Sequence, residues 1–239
     1  MTDETNKPRH LTPDEIKKGC IEIAGGDEMG TRICRINEEL EQGMTEMEKY
    51  DRSVTFYGSA RFKESDTYYQ KARALAYRIS KELGYTITTG GGPGIMEAGN
   101  RDAYEAGGKS IGLSIKLPSE QVDNPYTTDQ IPFYFFFARK VTLSFSASVF
   151  CFFPGGYGTL DEFFEAITLV QTKKIPQVPI VLYGSDFWNP VMQMIKTNLL
   201  DGFQTIDPQD LDLFTITDDD DKVIEIIKNA KKREHNHGD

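Results

Sequence analysis

Histidine is scarce in this chain and poorly placed for chemistry. Of 239 residues three are histidine, and His10, His235 and His237 all fall in polar terminal segments. That argues against a Ser-His-Asp triad or a histidine-rich zinc centre in the body of the sequence. The pair His235 and His237 reads as a solvated end. Cysteine is equally sparse: Cys20, Cys34 and Cys151 are odd in number and lack the spacing of a metal site. Cys151 falls in an apolar run and reads as packing, and a reducing cytoplasm is the expected setting. No apolar run reaches about 18 residues, so no membrane span is expected, and residues 1–9 lack the character of a secretory signal. Excess positive charge is missing too. A net charge of −10 argues against broad nucleic-acid binding, which leans on a basic surface, while leaving room for a local basic pocket.

What is present is a globular composition, 38% hydrophobic and 11% aromatic, in a length suited to one α/β domain with a small appendage. Residues 1–50 are charged, and Thr12-Pro13-Asp14-Glu15 makes a good helix start. Ile33, Ile36, Leu40, Met44 and Met47 recur at helical spacing. Two helices are expected there, forming either a loosely docked lid or an oligomer contact. From Ser53 onward, strands and helices alternate. Strands are expected at 54–57, 85–89, 110–115, 133–137, around Val149, at 179–183 and at 214–216. Helices are expected at 68–83, 95–106, 140–147, 163–170, 188–200 and 222–230. This alternation predicts a Rossmann-like, doubly wound parallel sheet with helices on both faces, spanning 51–231, with a helical extension at 1–50 and a tail at 232–239. Every strand-to-helix loop then falls on one edge, where ligands bind near a switch in strand order. The acidic run Asp218 to Asp221 reads as a solvated helix start, and no internal repeat is visible.

Two glycine-rich turns belong to that edge. Gly90-Gly91-Gly92-Pro93-Gly94 follows one strand. Pro154-Gly155-Gly156-Tyr157-Gly158-Thr159-Leu160-Asp161-Glu162 follows the apolar run 148–153 and opens a helix. Glycines admit a phosphate to backbone N–H groups, and the helix dipole favours its charge. Neither turn is a Walker A loop or a Gly-x-Gly-x-x-Gly fingerprint, so a dinucleotide dehydrogenase is weakly supported. Glu162 is open to two readings. A carboxylate in a first helical turn contributes about 0.3–1 kcal/mol, yet beside a phosphate it is repelled unless it has separate work at the sugar. Arg139-Lys140 is the basic pair within the aromatic stretch 131–153. Arg139 suits a phosphate or carboxylate fork, or a structural salt bridge. The run Phe133-Tyr134-Phe135-Phe136-Phe137 reads as a base-stacking surface or as core and dimer surface.

Taken together, Gly90 to Ala98, Arg139-Lys140 and the pattern Pro-Gly-Gly-x-Gly-Thr-x-x-Glu at 154–162 resemble the Lonely Guy family of nucleotide phosphoribohydrolases, also labelled lysine-decarboxylase-like. The resemblance runs from about Val54 to Leu200, and residues 1–50 resemble the extra helices of its longer members. It implies cleavage of the N-glycosidic bond of a nucleoside 5′-monophosphate, giving free base and ribose 5-phosphate. The base is a cytokinin in some members and an ordinary purine or pyrimidine in others. It implies Arg139 and Glu162 as the catalytic pair and Gly155, Gly156, Tyr157, Gly158 and Thr159 as the phosphate turn. Gly91 and Gly92 would line the pocket, joined by Gly58 and Ser59 at the end of the first strand. Lys140, Glu120 and Thr168 would make further nucleotide contacts. No metal or organic cofactor is expected. The expected partners are a nucleotide and further copies of this chain, as a homodimer or larger, with no nucleic acid or membrane. The rival from another class is a non-catalytic nucleotide or molybdenum-cofactor carrier. A pyridoxal decarboxylase fits poorly, because Lys140 beside Arg139 is a poor Schiff-base lysine.

Overall fold

The computed structural model describes residues 10–50, 52–117 and 124–231. Two helices come first: α1 (Pro13–Ile23), then α2 (Glu28–Met47). In α1, proline opens the helix, and the Thr12 side chain and Glu15 cap each other's backbone N–H groups. In α2, Asp27 accepts from the N–H of Gly30. The alternating part follows as β1 (Ser53–Tyr57), α3 (Thr67–Arg78), β2 (Thr86–Thr89), α4 (Ile95–Glu105), β3 (Ser110–Ile115), β4 (Asp129–Phe133) and α5 (Phe136–Phe145). It ends with β5 (Ala147–Phe152), α6 (Tyr157–Gln171), β6 (Ile180–Tyr183), α7 (Ser185–Ile195), β7 (Phe214–Thr217) and α8 (Asp220–Asn229).

All seven strands pair in parallel, in the order β4-β3-β2-β1-β5-β6-β7. The chain therefore walks outward from β1 to one edge, returns to place β5 beside β1, and walks to the other edge. The switch in direction falls between β1 and β5, where their carboxyl ends open a crevice.

Alternation along β5 assigns the two faces. Phe150 and Phe152 join one core with Met47, Ala138, Leu143, Phe163, Trp188 and Met192. Val149, Cys151 and Phe153 join the other with Leu75, Ile95, Ala98, Val223 and Ile227. Helices α2, α5, α6 and α7 thus cover one face and α3, α4 and α8 the other. A strand apolar on both faces is what a buried parallel sheet requires. Each such side chain contributes about 1.5–3 kcal/mol by leaving water. Trp188 adds a hydrogen bond from its indole N–H to the Phe152 carbonyl at 3.0 Å.

Three expectations need correction. Residues 133–137 do not form a strand: β4 ends at Phe133 and α5 begins at Phe136. The extension is not a loosely docked lid. Met47 and Glu39 are fully buried, and Glu39 accepts the N–H groups of Tyr134 at 3.1 Å and Phe135 at 3.0 Å. The third concerns His10. Its side chain is only 5% exposed, with Nε2 at 2.6 Å from Asp129 at the start of β4. His235 and His237 lie outside the described residues. Cys20 and Cys34 form a disulfide joining α1 to α2, a pairing the sequence reading did not anticipate, and Cys151 is a buried free thiol.

Candidate active site

A cavity of about 750 Å³ opens at the β1–β5 switch. Gly58 and Ser59, just beyond β1, form one wall, and the 154–160 turn forms another. Backbone hydrogen bonds fasten the loops together. The Ser59 N–H donates to the Pro154 carbonyl at 3.0 Å, and the Ile95 N–H donates to the Ser59 carbonyl at 3.1 Å.

The turn is shaped for an anion. Gly156 caps α6, and no side chain accepts from the helix N-terminus. The N–H groups of the first turn have no partner within a helix, and Tyr157, Gly158 and Thr159 lie on the cavity wall. Gly155 is required by close approach: a Cβ there would collide with the Thr159 side chain. Leaving the helix end uncapped suits an anionic ligand, which supplies both acceptors and charge.

Arg139 and Glu162 both reach this cavity. Arg139, in the first turn of α5, is buried. Its Nε donates to the Leu113 carbonyl at 2.6 Å and its Nη2 to the Gly90 carbonyl at 3.1 Å. Both acceptors are backbone atoms at or just beyond the carboxyl ends of β3 and β2, so the sheet itself aims the guanidinium. Glu162 lies two residues beyond Leu160, on the inner side of α6. Burial pushes its carboxyl up to about 7, against the lowering pull of Arg139 and Lys140. A carboxyl balanced near neutrality is suited to proton transfer or to carrying charge at the reacting centre.

The other expected residues fall elsewhere. Lys140 places Nζ 2.8 Å from Asp161 and 3.0 Å from Glu165, away from the cavity wall. Burial lowers its pKa, but the two carboxylates outweigh this and leave it raised. Thr168 donates to the carbonyl of Phe164 one turn back and does not line the cavity. Gly91 and Gly92 are buried behind the cavity rather than on its wall. The Gly91 N–H donates to the Thr89 hydroxyl at 2.9 Å, its φ is +71°, and a Cβ there would meet the Gly112 backbone. The side-chain amide of Asn124 donates to the Gly92 carbonyl at 3.1 Å. These two glycines thus serve packing between β2, β3 and the segment beginning at Asn124. Glu120 lies outside the described residues.

Sequence reasoning missed Arg61, Phe62, Met96 and Phe187, all on the cavity wall. Arg61-Phe62 follows Gly58-Ser59 directly, so a basic and an aromatic residue beside a ligand-edge glycine was a readable signal. Phe187 fell just outside the helix expected at 188–200; α7 in fact opens at Ser185. The aromatic run gives the cavity nothing. Phe133 is core, while Tyr134, Phe136 and Phe137 are each about half exposed. Elsewhere, His10, Glu46 and Asp129 bring ligand-type atoms close together. Asp129 opens β4, so that group belongs to the opposite edge of the sheet.

The fold and site define a class: a doubly wound α/β protein with a glycine-rich turn at an uncapped helix N-terminus and an arginine–carboxylate pair at its switch point. Comparison with known proteins gives the family. The family described as "Possible lysine decarboxylase" matches residues 96–227, more than half of the chain, and the chain belongs to it. Among curated relatives, the cytokinin riboside 5′-monophosphate phosphoribohydrolase LOG of Oryza sativa subsp. japonica is 30% identical over 162 residues, 65% of this chain and 64% of the relative. LOG5 of Arabidopsis thaliana, named for the same activity, is 28% identical over 160 residues, 65% of this chain and 68% of the relative. Among solved structures, the molybdenum cofactor binding protein of Rippkaea orientalis is 25% identical with a TM-score of 0.54, covering 74% of this chain and 93% of that one. No helix among the described residues is long and apolar enough to cross a membrane.

Proposed function

We propose that this chain hydrolyses the N-glycosidic bond of nucleoside 5′-monophosphates. Water adds to the anomeric carbon, the bond to the base nitrogen breaks, and free base and ribose 5-phosphate leave, the base taking up a proton. The observation that carries the reading is Glu162, a carboxyl with its pKa near 7 one helical turn from an uncapped phosphate turn. With phosphate held at 155–159, the sugar falls between that turn and Glu162. Ionised Glu162 stabilises the oxocarbenium-like charge or activates water. Arg139, fixed by two carbonyls, holds the phosphate or the departing base and keeps Glu162 ionisable. Binding of the phosphate, remote from the breaking bond, positions the sugar. The relatives named for cytokinin riboside monophosphates support the reaction class. AMP-like nucleotides and their isoprenoid-modified forms are the substrates to try first.

A decarboxylase would need a lysine with a lowered pKa. Among the described residues no lysine lines the cavity, and Lys140 is raised by two carboxylates. The residues present do not fit a Schiff-base cofactor. An assay for cadaverine release from lysine should read zero. The carrier reading draws on the neighbour that binds molybdenum cofactor, and the anion turn serves it equally. It gives Glu162 no task, because a carboxylate disfavours a bound phosphate.

The protein is further proposed to work as a homodimer or larger. Phe136, Phe137 and Val141 at the start of α5, with Phe164 on α6, are exposed apolar side chains suited to a subunit contact. A monomer in light scattering would count against this. The enzymatic reading is tested by incubating the protein and its Glu162→Gln variant with AMP, GMP, CMP, UMP and an isoprenoid AMP, and separating free base by chromatography. Release in the wild type alone supports it. No release from any nucleotide, with AMP bound, favours the carrier.

A further inference from the structure

A second recess, of about 610 Å³, lies between the helical extension and the segment entering α5. Its wall carries Lys17 from α1, Arg32 and Arg35 from α2, and the rings of Tyr134 and Phe135, with Glu28 the lone acid. In a chain of net charge −10, three cations gather on this wall; Asp14, one turn before Lys17, feels the charges of Lys17 and Arg35 but is itself paired with Lys116. Among the described residues none of the three forms an ion pair.

Arg35 is the centre of the recess. Its guanidinium lies 4.3 Å from the centroid of the Tyr134 ring and 5.3 Å from that of Phe135. Stacking holds the fork in place with its edge N–H groups unspent. Its Nε is buried and has no hydrogen-bond partner. Glu39, the nearby buried acid, feels the charge of Arg35, but burial raises its pKa and so favours its neutral form. The disulfide between Cys20 and Cys34 fixes α1 against α2. Lys17 lies one turn before Cys20 and Arg35 directly follows Cys34, so the same bridge sets the spacing of the cations.

We infer that this recess is a second anion site, built to hold a phosphorylated small molecule with two or more negative charges. Its volume lies in the range of small-ligand sites, about 300–1,000 Å³. Cations on two helices converge as a polyphosphate or bisphosphate requires, and charge-assisted hydrogen bonds supply the affinity.

The test is calorimetric titration of the full chain with inorganic pyrophosphate, at low and at physiological salt. The glycine turn also takes anions, so wild type should show two classes of site. The double variant Lys17→Gln/Arg32→Gln alters two exposed side chains, and its folding is checked by thermal melting. It should lose one class, by roughly tenfold or more in affinity. Thr159→Val should weaken the other class and leave this one intact. Titration curves for the double variant that match wild type would overturn the proposal. So would pyrophosphate binding abolished by Thr159→Val alone. Neither readout depends on turnover, so an inactive protein would not affect the outcome.

Discussion

The Arg139 guanidinium occupies the space a side chain at residue 90 would need. Its Nη2 donates to the Gly90 carbonyl at 3.1 Å, and a Cβ on residue 90 would collide with that nitrogen. Glycine at the end of β2 is therefore a requirement of the arginine on α5. Gly90→Ala should displace the guanidinium by about an ångström and lower kcat by about 100-fold, the scale expected for such a misplacement. Melting should fall modestly. Unchanged base release in the variant would show that the position of Arg139 is not limiting.

Glu162 links activity to stability with opposite signs. Its folded pKa is raised to about 7 from the ordinary carboxylate value of 4.5. Folding therefore favours the protonated form. The stability this brings is complete below about pH 4.5 and is lost as pH rises through about 7. Glu162→Gln should stabilise the protein increasingly over that interval, by about 1–3 kcal/mol at pH 8, measurable by denaturant unfolding. Catalysis runs the other way, because the ionised carboxylate is the working form. In wild type kcat/KM should rise through an apparent pKa near 7, and in the variant turnover should fall by about 10²–10⁴-fold with nucleotide binding retained. A flat pH–rate profile in wild type would argue that Glu162 does not titrate in the productive step.

Much of this site was legible because it is local. Glycine turns following apolar strands mark the ligand edge without knowledge of strand order, and the order β4-β3-β2-β1-β5-β6-β7 then brings 58–59 and 154–160 together. What escaped was long-range. The run 133–137 has strand composition, yet only Phe133 is in β4, because Glu39, far away in sequence, accepts the N–H groups that open α5. Glu39 shares the buried helical stripe of Ile36, Gly43 and Met47, and an acid on such a stripe was the available clue. Gly91 and Gly92 look like a phosphate loop in sequence, but the Gly91 N–H donates to Thr89 and the Gly92 carbonyl accepts from Asn124.

His10 and Asp129 form the second pH-dependent pair. The hydrogen bond and charge of Asp129 raise the pKa of His10, opposed by burial and by Lys49. Burial alone would raise Asp129, but His10, Tyr50 and the Gln130 N–H outweigh it and leave it lowered. The His10 contribution is complete below about pH 6.5 and is lost as pH rises through its raised value. The Asp129 contribution is present above about pH 4 and is lost as pH falls through its lowered value. The pair therefore stabilises most between about pH 4 and 6.5. His10→Gln should cost about 1.5–3 kcal/mol at pH 5.5 and much less at pH 8.5. An equal loss at both values would mean that packing, and not charge, is what His10 supplies.

The disulfide between Cys20 and Cys34 spans a sequence separation of 14, and closing a loop of that size restricts the unfolded chain by about 3 kcal/mol. That stabilisation is confined to α1 and the first half of α2. Elsewhere α2 is held by Met47 and Gly43, the latter against Phe133 and Thr142. Reduction should therefore loosen α1 first and leave the sheet intact. Hydrogen exchange in the presence of a phosphine reductant should show faster exchange over Pro13–Ile23, with β1 and β5 unchanged. The double variant Cys20→Ser/Cys34→Ser should reproduce that pattern without reductant. If exchange in β1 and β5 rose equally with α1, the extension and the sheet would unfold as one unit, and the bridge would stabilise the whole protein.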